Sequence, residues 1–214
     1  MRHRLVLFAC MLFGYLPVLA RATEPQPWIS LFDGRSLNGW KSDDETSNVF
    51  TVVGGAIQVK GGRAHLYYVG EVHRGTFKNF ELNVKAMTTS GSNGGIYFHT
   101  AYQDKGWPVK GYECQINSSH SDKRMTGSLY GVQDVIGRAP SWDGEWFDLT
   151  IRVLDKLISI KVNGNEVVHY LEPENPPRPD TVKGWRLGEG TFAIQGHDRS
   201  STTYLKDIMV RSLD

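Results

Sequence analysis

Cysteine is almost missing: 214 residues hold two, Cys10 and Cys114. Cys10 falls in an apolar leader, so the folded part of the chain has Cys114 alone and cannot form an intramolecular disulfide. A catalytic thiol would need a partner base and exposure; on an alternating strand Cys114 reads as a small buried apolar residue. A charge excess is missing too. Lys and Arg number 24 against 23 Asp and Glu, a net +1, which gives no basic footprint for nucleic acid and no acidic surface. No segment sustains a helical period over ten residues, and no apolar run beyond the leader is long enough to span a membrane. No H-x-H, HExxH or C-x-x-C spacing occurs, so sequence assigns no cofactor or metal site. A divalent metal held by scattered Glu, Asp and His stays open. Internal repeats and low-complexity tracts are also absent.

What is present is a leader followed by many short strands. MRHR is a basic start, LVLFACMLFGYLPVLA is an apolar stretch, and small-residue cleavage signals end at Ala20 and Ala22. This reads as a signal peptide over residues 1–22, with export to the periplasm or medium; a retained N-terminal anchor is the alternative. Residues 23–214 fit one domain. VFTVVGGAIQVK reads as a hairpin around Gly54-Gly55, and HLYYV as a strand. FELNVKAMT alternates cleanly, and GGIYFHTA, GYECQINSS and GSLYGV follow. Residues 145–172 hold three strands turned at Asp155-Lys156 and Asn163-Gly164, and GTFAIQGHD and TTYLKDIMVRSL close the chain. The Pro- and Gly-rich residues 172–190 read as a long surface loop. Trp40 and Trp146 are expected in the core and between sheets. The fold class is all-β, a sandwich or barrel.

One strand stands out. In GYECQINSS, alternation puts Tyr112, Cys114 and Ile116 on one face and Glu113, Gln115 and Asn117 on the other. An acid and two amides in a row mark either a wetted face or the floor of a polar cleft.

LFDGRSLNGW (31–40), FELNVKAMTTSGSNGGIYFH (80–99), GYECQI (111–116), GSLYGV (127–132), VNGNEVVHY (162–170) and FAIQGHD with LKDIMVRSL, in this order, resemble the 3-keto-disaccharide hydrolase domain family. The resemblance implies a concanavalin A-like jelly-roll sandwich of two antiparallel sheets. It also implies action on glycosides whose C3 hydroxyl has been oxidised to a ketone. The chain departs from the family pattern in two places. His99 stands where members often carry arginine, and Gln195-Gly196-His197-Asp198 stands for Gln-Asp-His-Gly.

Ordinary glycosidases need two carboxylates across the scissile bond. Laminarinase-type enzymes on this kind of sandwich set acids along one strand as E-x-D-x-E, whereas this strand offers Glu113 with two amides. One acid suffices for another route. A C3 ketone acidifies the C2 proton, a single base removes it, and the group at C1 leaves by β-elimination, with or without water addition. Glu113 or a histidine, His197 first, is the expected base. Gln115, Asn117, His99, Lys123, Arg124 and Asp198 are the expected substrate contacts, the two cations as enolate stabilisers. Each has a plainer reading: Glu113 and the Lys123-Arg124 pair solvated, His99 packed, His197-Asp198 a turn. The partner is an oligosaccharide or oxidised glycoside. A non-catalytic carbohydrate-binding module is the alternative function, separated from an enzyme by binding without turnover. An ordinary glucanase is a third, separated by turnover of unoxidised glucans.

Overall fold

The computed structural model describes residues 26–43 and 48–214; the leader read over residues 1–22 lies outside them. Thirteen strands are present among the described residues: β1 (Ile29–Ser30), β2 (Trp40–Ser42), β3 (Phe50–Val53), β4 (Ala56–Lys60), β5 (Ala64–Tyr68), β6 (Phe80–Thr88), β7 (Asn93–Thr100), β8 (Tyr112–Asn117), β9 (Phe147–Leu154), β10 (Leu157–Val162), β11 (Asn165–Leu171), β12 (Thr191–Gly196) and β13 (Thr202–Ser212). They form two antiparallel sheets. The larger runs β11-β10-β9-β6-β13-β4-β3, with β1 also on β13; the smaller runs β2-β5-β12-β7-β8. Helix is limited to two 3-10 turns, Val72–Gly75 and Asp180–Val182, and no helix among the described residues is long and apolar enough to cross a membrane. This is the all-β sandwich that the strand pattern allowed and the jelly-roll that the family resemblance implied.

The period of two builds the core. Phe80, Leu82, Val84 and Ala86 of β6 are all buried against the inward residues of the smaller sheet, among them Leu66, Ile96, Phe98, Cys114, Phe192 and Ile194. Burial pushes the Cys114 thiol far above its ordinary pKa, which suits packing rather than chemistry. β13 needs a correction of its own parity: a bulge at Lys206–Met209, with Asp207 at φ 50, lets Leu205, Ile208 and Val210 all face inward. The Asn163-Gly164 turn has both residues at positive φ, as a two-residue hairpin requires.

Three expectations change. GSLYGV is not a strand: Gly127 and Gly131 take φ +87 and +67 and bend it at both ends. The segment instead covers the open edge of β8, with Gln115 N–H donating to Ser128 O and Tyr130 N–H to Glu113 O, both at 3.0 Å. Trp146 is 39% exposed, because its neighbour Phe147 takes the inward position, and Lys206 lies over its ring. Trp40 is buried as expected, its indole donating to Leu31 O.

Residues 172–190 are more than a surface loop. Arg178 donates to Tyr112 Oη (2.9 Å), Tyr170 Oη (3.0 Å) and Trp185 O (2.9 Å). Glu172 accepts from the Tyr112 hydroxyl and from Leu187 N–H. This clasp sets Trp185 beside the smaller sheet. Arg178→Ala is expected to free Trp185 and raise KM about ten-fold with kcat little changed, as the loss of a charged hydrogen bond of roughly 1.5 kcal/mol would. Steady-state kinetics on the substrate proposed below would check it.

Candidate active site

The outer face of the smaller sheet carries the site, in rows fixed by strand register. One row runs Lys41, Tyr67, Ala193, Tyr97, Glu113 across β2, β5, β12, β7 and β8. The next runs His65, Gln195, Gly95, Gln115. Asn93 and Asn117 pair in the row beyond, and His197 follows Gln195 by two.

Glu113 sits at the floor of a cavity of about 290 Å³. Gln195 Nε2 donates to its Oε1 at 2.7 Å and to Tyr97 Oη at 3.1 Å. With its amide turned to donate, Gln115 Nε2 reaches the same Oε1 and Gly94 O, each at 3.1 Å. The carboxylate leans into space that a side chain at position 95 would fill: a Cβ on Gly95 would stand 2.5 Å from Glu113 Oε1. Burial pushes the Glu113 carboxyl up to about 7, with the Tyr97 and Gln195 hydrogen bonds pulling the other way. Burial, then the neighbouring Glu113, pushes the Tyr97 phenol far above its usual range, so it is a neutral donor. Trp107 and Trp185 form walls, and Tyr130 and His197 also line the cavity.

His197 is oriented by Asp198. Its Nδ1–H donates to Asp198 Oδ2 at 2.8 Å, which leaves Nε2 to exchange a proton with the cavity. Burial opposes ionisation of Asp198, but bonds from Ser200, His197 and Ser201 outweigh it and hold the carboxyl well below its ordinary range. His120, His197 and Asp198 group within 4.8 Å, a set that could hold a divalent metal. Their hydrogen bonds fit a proton relay better. His120 Nδ1 already accepts from Asp122 N–H (3.0 Å) and faces Asn93 Nδ2 (3.4 Å), so Nε2 carries the hydrogen and points at Asp198 Oδ2, 3.7 Å away. Both Asp198 oxygens are also taken by Ser200 and Ser201.

The other expected residues fall elsewhere. Asn117 is buried and holds the following loop, donating to Asp122 O and Arg124 O at 2.8 Å and accepting from His120 N–H. Lys123 is exposed on that loop. Arg124 pairs with Asp122 and Asp134 and stacks on Tyr130, so it stands behind the wall. Alternation would put His99 on the face of Tyr97, but a bulge opposite Phe192, with His99 at φ 55, turns it inward. There it contacts Phe80, donates from Nε2 to Lys78 O, accepts at Nδ1 from Gly188 N–H, and burial lowers its pKa. Of the expected set, the structure brings Glu113, Gln115 and His197 into one cavity, with Asp198 behind His197.

Tyr97, Gln195, Trp107, Trp185 and His120 were not singled out in the sequence. For Gln195 and Tyr97 a signal existed: each continues the outward parity of a strand whose inward parity is apolar. The tryptophans come from loops and carried none.

Comparison with known proteins agrees with this architecture. A 3-keto-disaccharide hydrolase of Bacteroides thetaiotaomicron is 25% identical over 168 residues, covering 67% of this chain and 58% of that protein's length. A Parabacteroides distasonis crystal structure, provisionally named a glycosyl hydrolase, superposes with a TM-score of 0.74 at 19% identity, covering 87% of this chain and 94% of that one. A carbohydrate binding module of Bacillus subtilis superposes at 0.56 and 11% identity over 81% and 96%. At these identities the structural likenesses show a shared fold. The profile of the 3-keto-alpha-glucoside-1,2-lyase-like domain matches residues 27–211, and the chain therefore belongs to that family.

Proposed function

We propose that this protein is a carbohydrate-active enzyme that cleaves 3-keto-glycosides, 3-keto-disaccharides among them, by removing the C2 proton and expelling the C1 substituent. One observation carries the reading. Among the described residues lining the cavity, Glu113 is the only carboxylate, and it is buried and poised near neutrality. A two-carboxylate glycosidase has no second acid there. A single base with a pKa near the working pH is what C2 deprotonation requires.

In the proposed reaction Glu113 takes the C2 proton. The electron pair forms C1=C2 in conjugation with the C3 ketone as the C1–O bond breaks. His197, protonated at Nε2 while its Nδ1–H stays on Asp198, gives the departing oxygen that proton; water then adds at C1 and returns a proton to His197, as Glu113 hands its proton back to C2. Negative charge developing on the C3 oxygen is met by the Tyr130 hydroxyl, turned from its 3.3 Å bond to Asp122, with the Arg124 guanidinium 4.4 Å from the Tyr130 ring. Trp107 and Trp185 supply aromatic surface to the sugar. The family and the Bacteroides relative's name support the substrate class.

The test uses purified residues 23–214 on 3-keto-trehalose and 3-keto-lactose beside the unoxidised sugars. Monosaccharide release from the keto sugars alone, with transient enone absorbance, is expected. Equal turnover of the unoxidised sugars would sink the proposal. Saturable binding without turnover would move the protein to the carbohydrate-binding alternative, which the fold shared with the Bacillus subtilis module favours. We also propose export, supported by the basic start and apolar stretch of residues 1–22. N-terminal sequencing of the accumulated protein should begin after Ala20 or Ala22, and an intact Met1 would refute it.

A further inference from the structure

Across Gln195 from Glu113, three buried polar atoms lack a partner among the described residues: His65 Nε2, Tyr67 Oη and Gln195 Oε1. His65 and Tyr67 are fully buried and Gln195 is 2% exposed. A buried polar atom left unpaired costs about 1–3 kcal/mol, and such atoms are few in folded proteins. These three share one face. His65 is the cross-strand neighbour of Gln195, and Tyr67 that of Ala193, whose small side chain keeps the floor low between them.

We propose that this patch is a second subsite, taking the sugar or polyol attached at C1 of the substrate; it rests on the keto-glycoside reading of the adjoining cavity. The chemistry of the atoms selects the ligand. His65 Nδ1–H donates to Asp43 Oδ2 at 3.0 Å, and His65 N–H donates to Asp43 Oδ1 at 2.6 Å, so the ring is fixed with Nε2 as an acceptor. Burial, against the pull of Asp43, favours the neutral ring. Gln195 Oε1 is a second acceptor, and the Tyr67 hydroxyl gives or takes a hydrogen. Two neutral acceptors beside a hydroxyl match the hydroxyls of a sugar. They offer a phosphate or carboxylate no donor except the Tyr67 hydroxyl.

The roof is built to lift. Residues 101–111 lie over the patch through ring contacts, Tyr102 on Tyr67 at 5.3 Å and Trp107 on His65 at 5.4 Å. The hydrogen bonds of Gln103 stay inside the loop, to Lys105 O, Trp107 O and Val109 N–H. The loop is thus a tied unit anchored at its end, where Gly111 N–H donates to Gly184 O, and resting on the sheet through ring contacts and Lys41 over the Tyr102 ring. Trp107 also walls the cavity of Glu113, so raising it joins the two spaces. Gln195, bonded to Glu113 through Nε2, then contacts both halves of a disaccharide.

The experiment compares 3-keto-trehalose, which expels glucose, with methyl 3-keto-glucoside, which expels methanol. In Tyr67→Phe and His65→Gln the ratio of kcat/KM for the first over the second should fall about ten-fold, the value of one hydrogen bond to a hydroxyl. Tyr67→Phe removes an unpartnered hydroxyl, so its Tm should hold or rise. A ratio unchanged within two-fold, or parallel losses on both substrates with a lower Tm, would overturn the subsite. Should the wild type cleave neither substrate, the keto-glycoside reading fails. Glucose binding by calorimetry then decides the subsite alone: saturable binding weakened in Tyr67→Phe upholds it, and no binding ends it.

Discussion

Replacing Glu113 by glutamine is expected to lower kcat by about 100- to 10,000-fold while making the protein more stable above neutral pH. Glutamine keeps the shape and can still meet Gln195 and Gln115, but it cannot take a proton. The stability gain follows from burial. The folded carboxyl titrates at about 7 against 4.5 for the free group. A raised acid contributes full stability below 4.5 and loses it as pH climbs through 7, a difference on the order of 3 kcal/mol. Thermal melts of the wild type should therefore fall between those pH values more steeply than melts of the variant. The wild-type kcat/KM should rise across the same window, as a base that must be ionised dictates. Activity retained in full by Glu113→Gln would remove the residue from the chemistry, and identical melt profiles would remove the buried charge.

Gly95→Ala should cost nearly as much without touching a titrating group. The added methyl would stand 2.5 Å from Glu113 Oε1, 3.0 Å from its Cγ and 3.2 Å from its Cδ. The carboxylate must swing aside, and a displacement of about 1 Å from a reacting proton can cost 100-fold. Gly94 is the control. A Cβ there meets Thr203 Cγ2 at 3.2 Å on the core side, so Gly94→Ala should lower Tm by overpacking and spare kcat. If the two variants lose activity equally, the glycine at 95 serves packing alone, and the cradle for Glu113 is refuted.

The division between what the chain spells out and what it hides is physical. Alternation is local, so β6, β8 and the inward place of Cys114 were legible, and so was the polar row of Glu113 and Gln115. Parity failed where a bulge intervenes: His99 shares the sequence parity of Tyr97 yet points the other way. Asn117 shares the parity of Glu113, but its amide is spent on the backbone of the next loop, a demand set by tight turns three to seven residues on. The pairing of Asp43 with His65 depends on register between distant strands. Trp107 and Trp185 reach the cavity from irregular segments, where no period marks direction. The motif order that resembles the family carried the fold further than any single segment did.

The loops bearing those tryptophans are joined to each other. Gly111 N–H donates to Gly184 O at 3.0 Å, and a Cβ on Gly184 would collide with Val109 O. The acid belongs to a hydrogen-bonded ladder and the walls belong to this one riveted frame. The walls are therefore heritable apart from the ladder: exchanging residues 101–111 and 172–190 together, rivet included, would change the aromatic walls without moving Glu113 or the floor of His65, Tyr67 and Gln195, whereas exchanging either alone would break the frame.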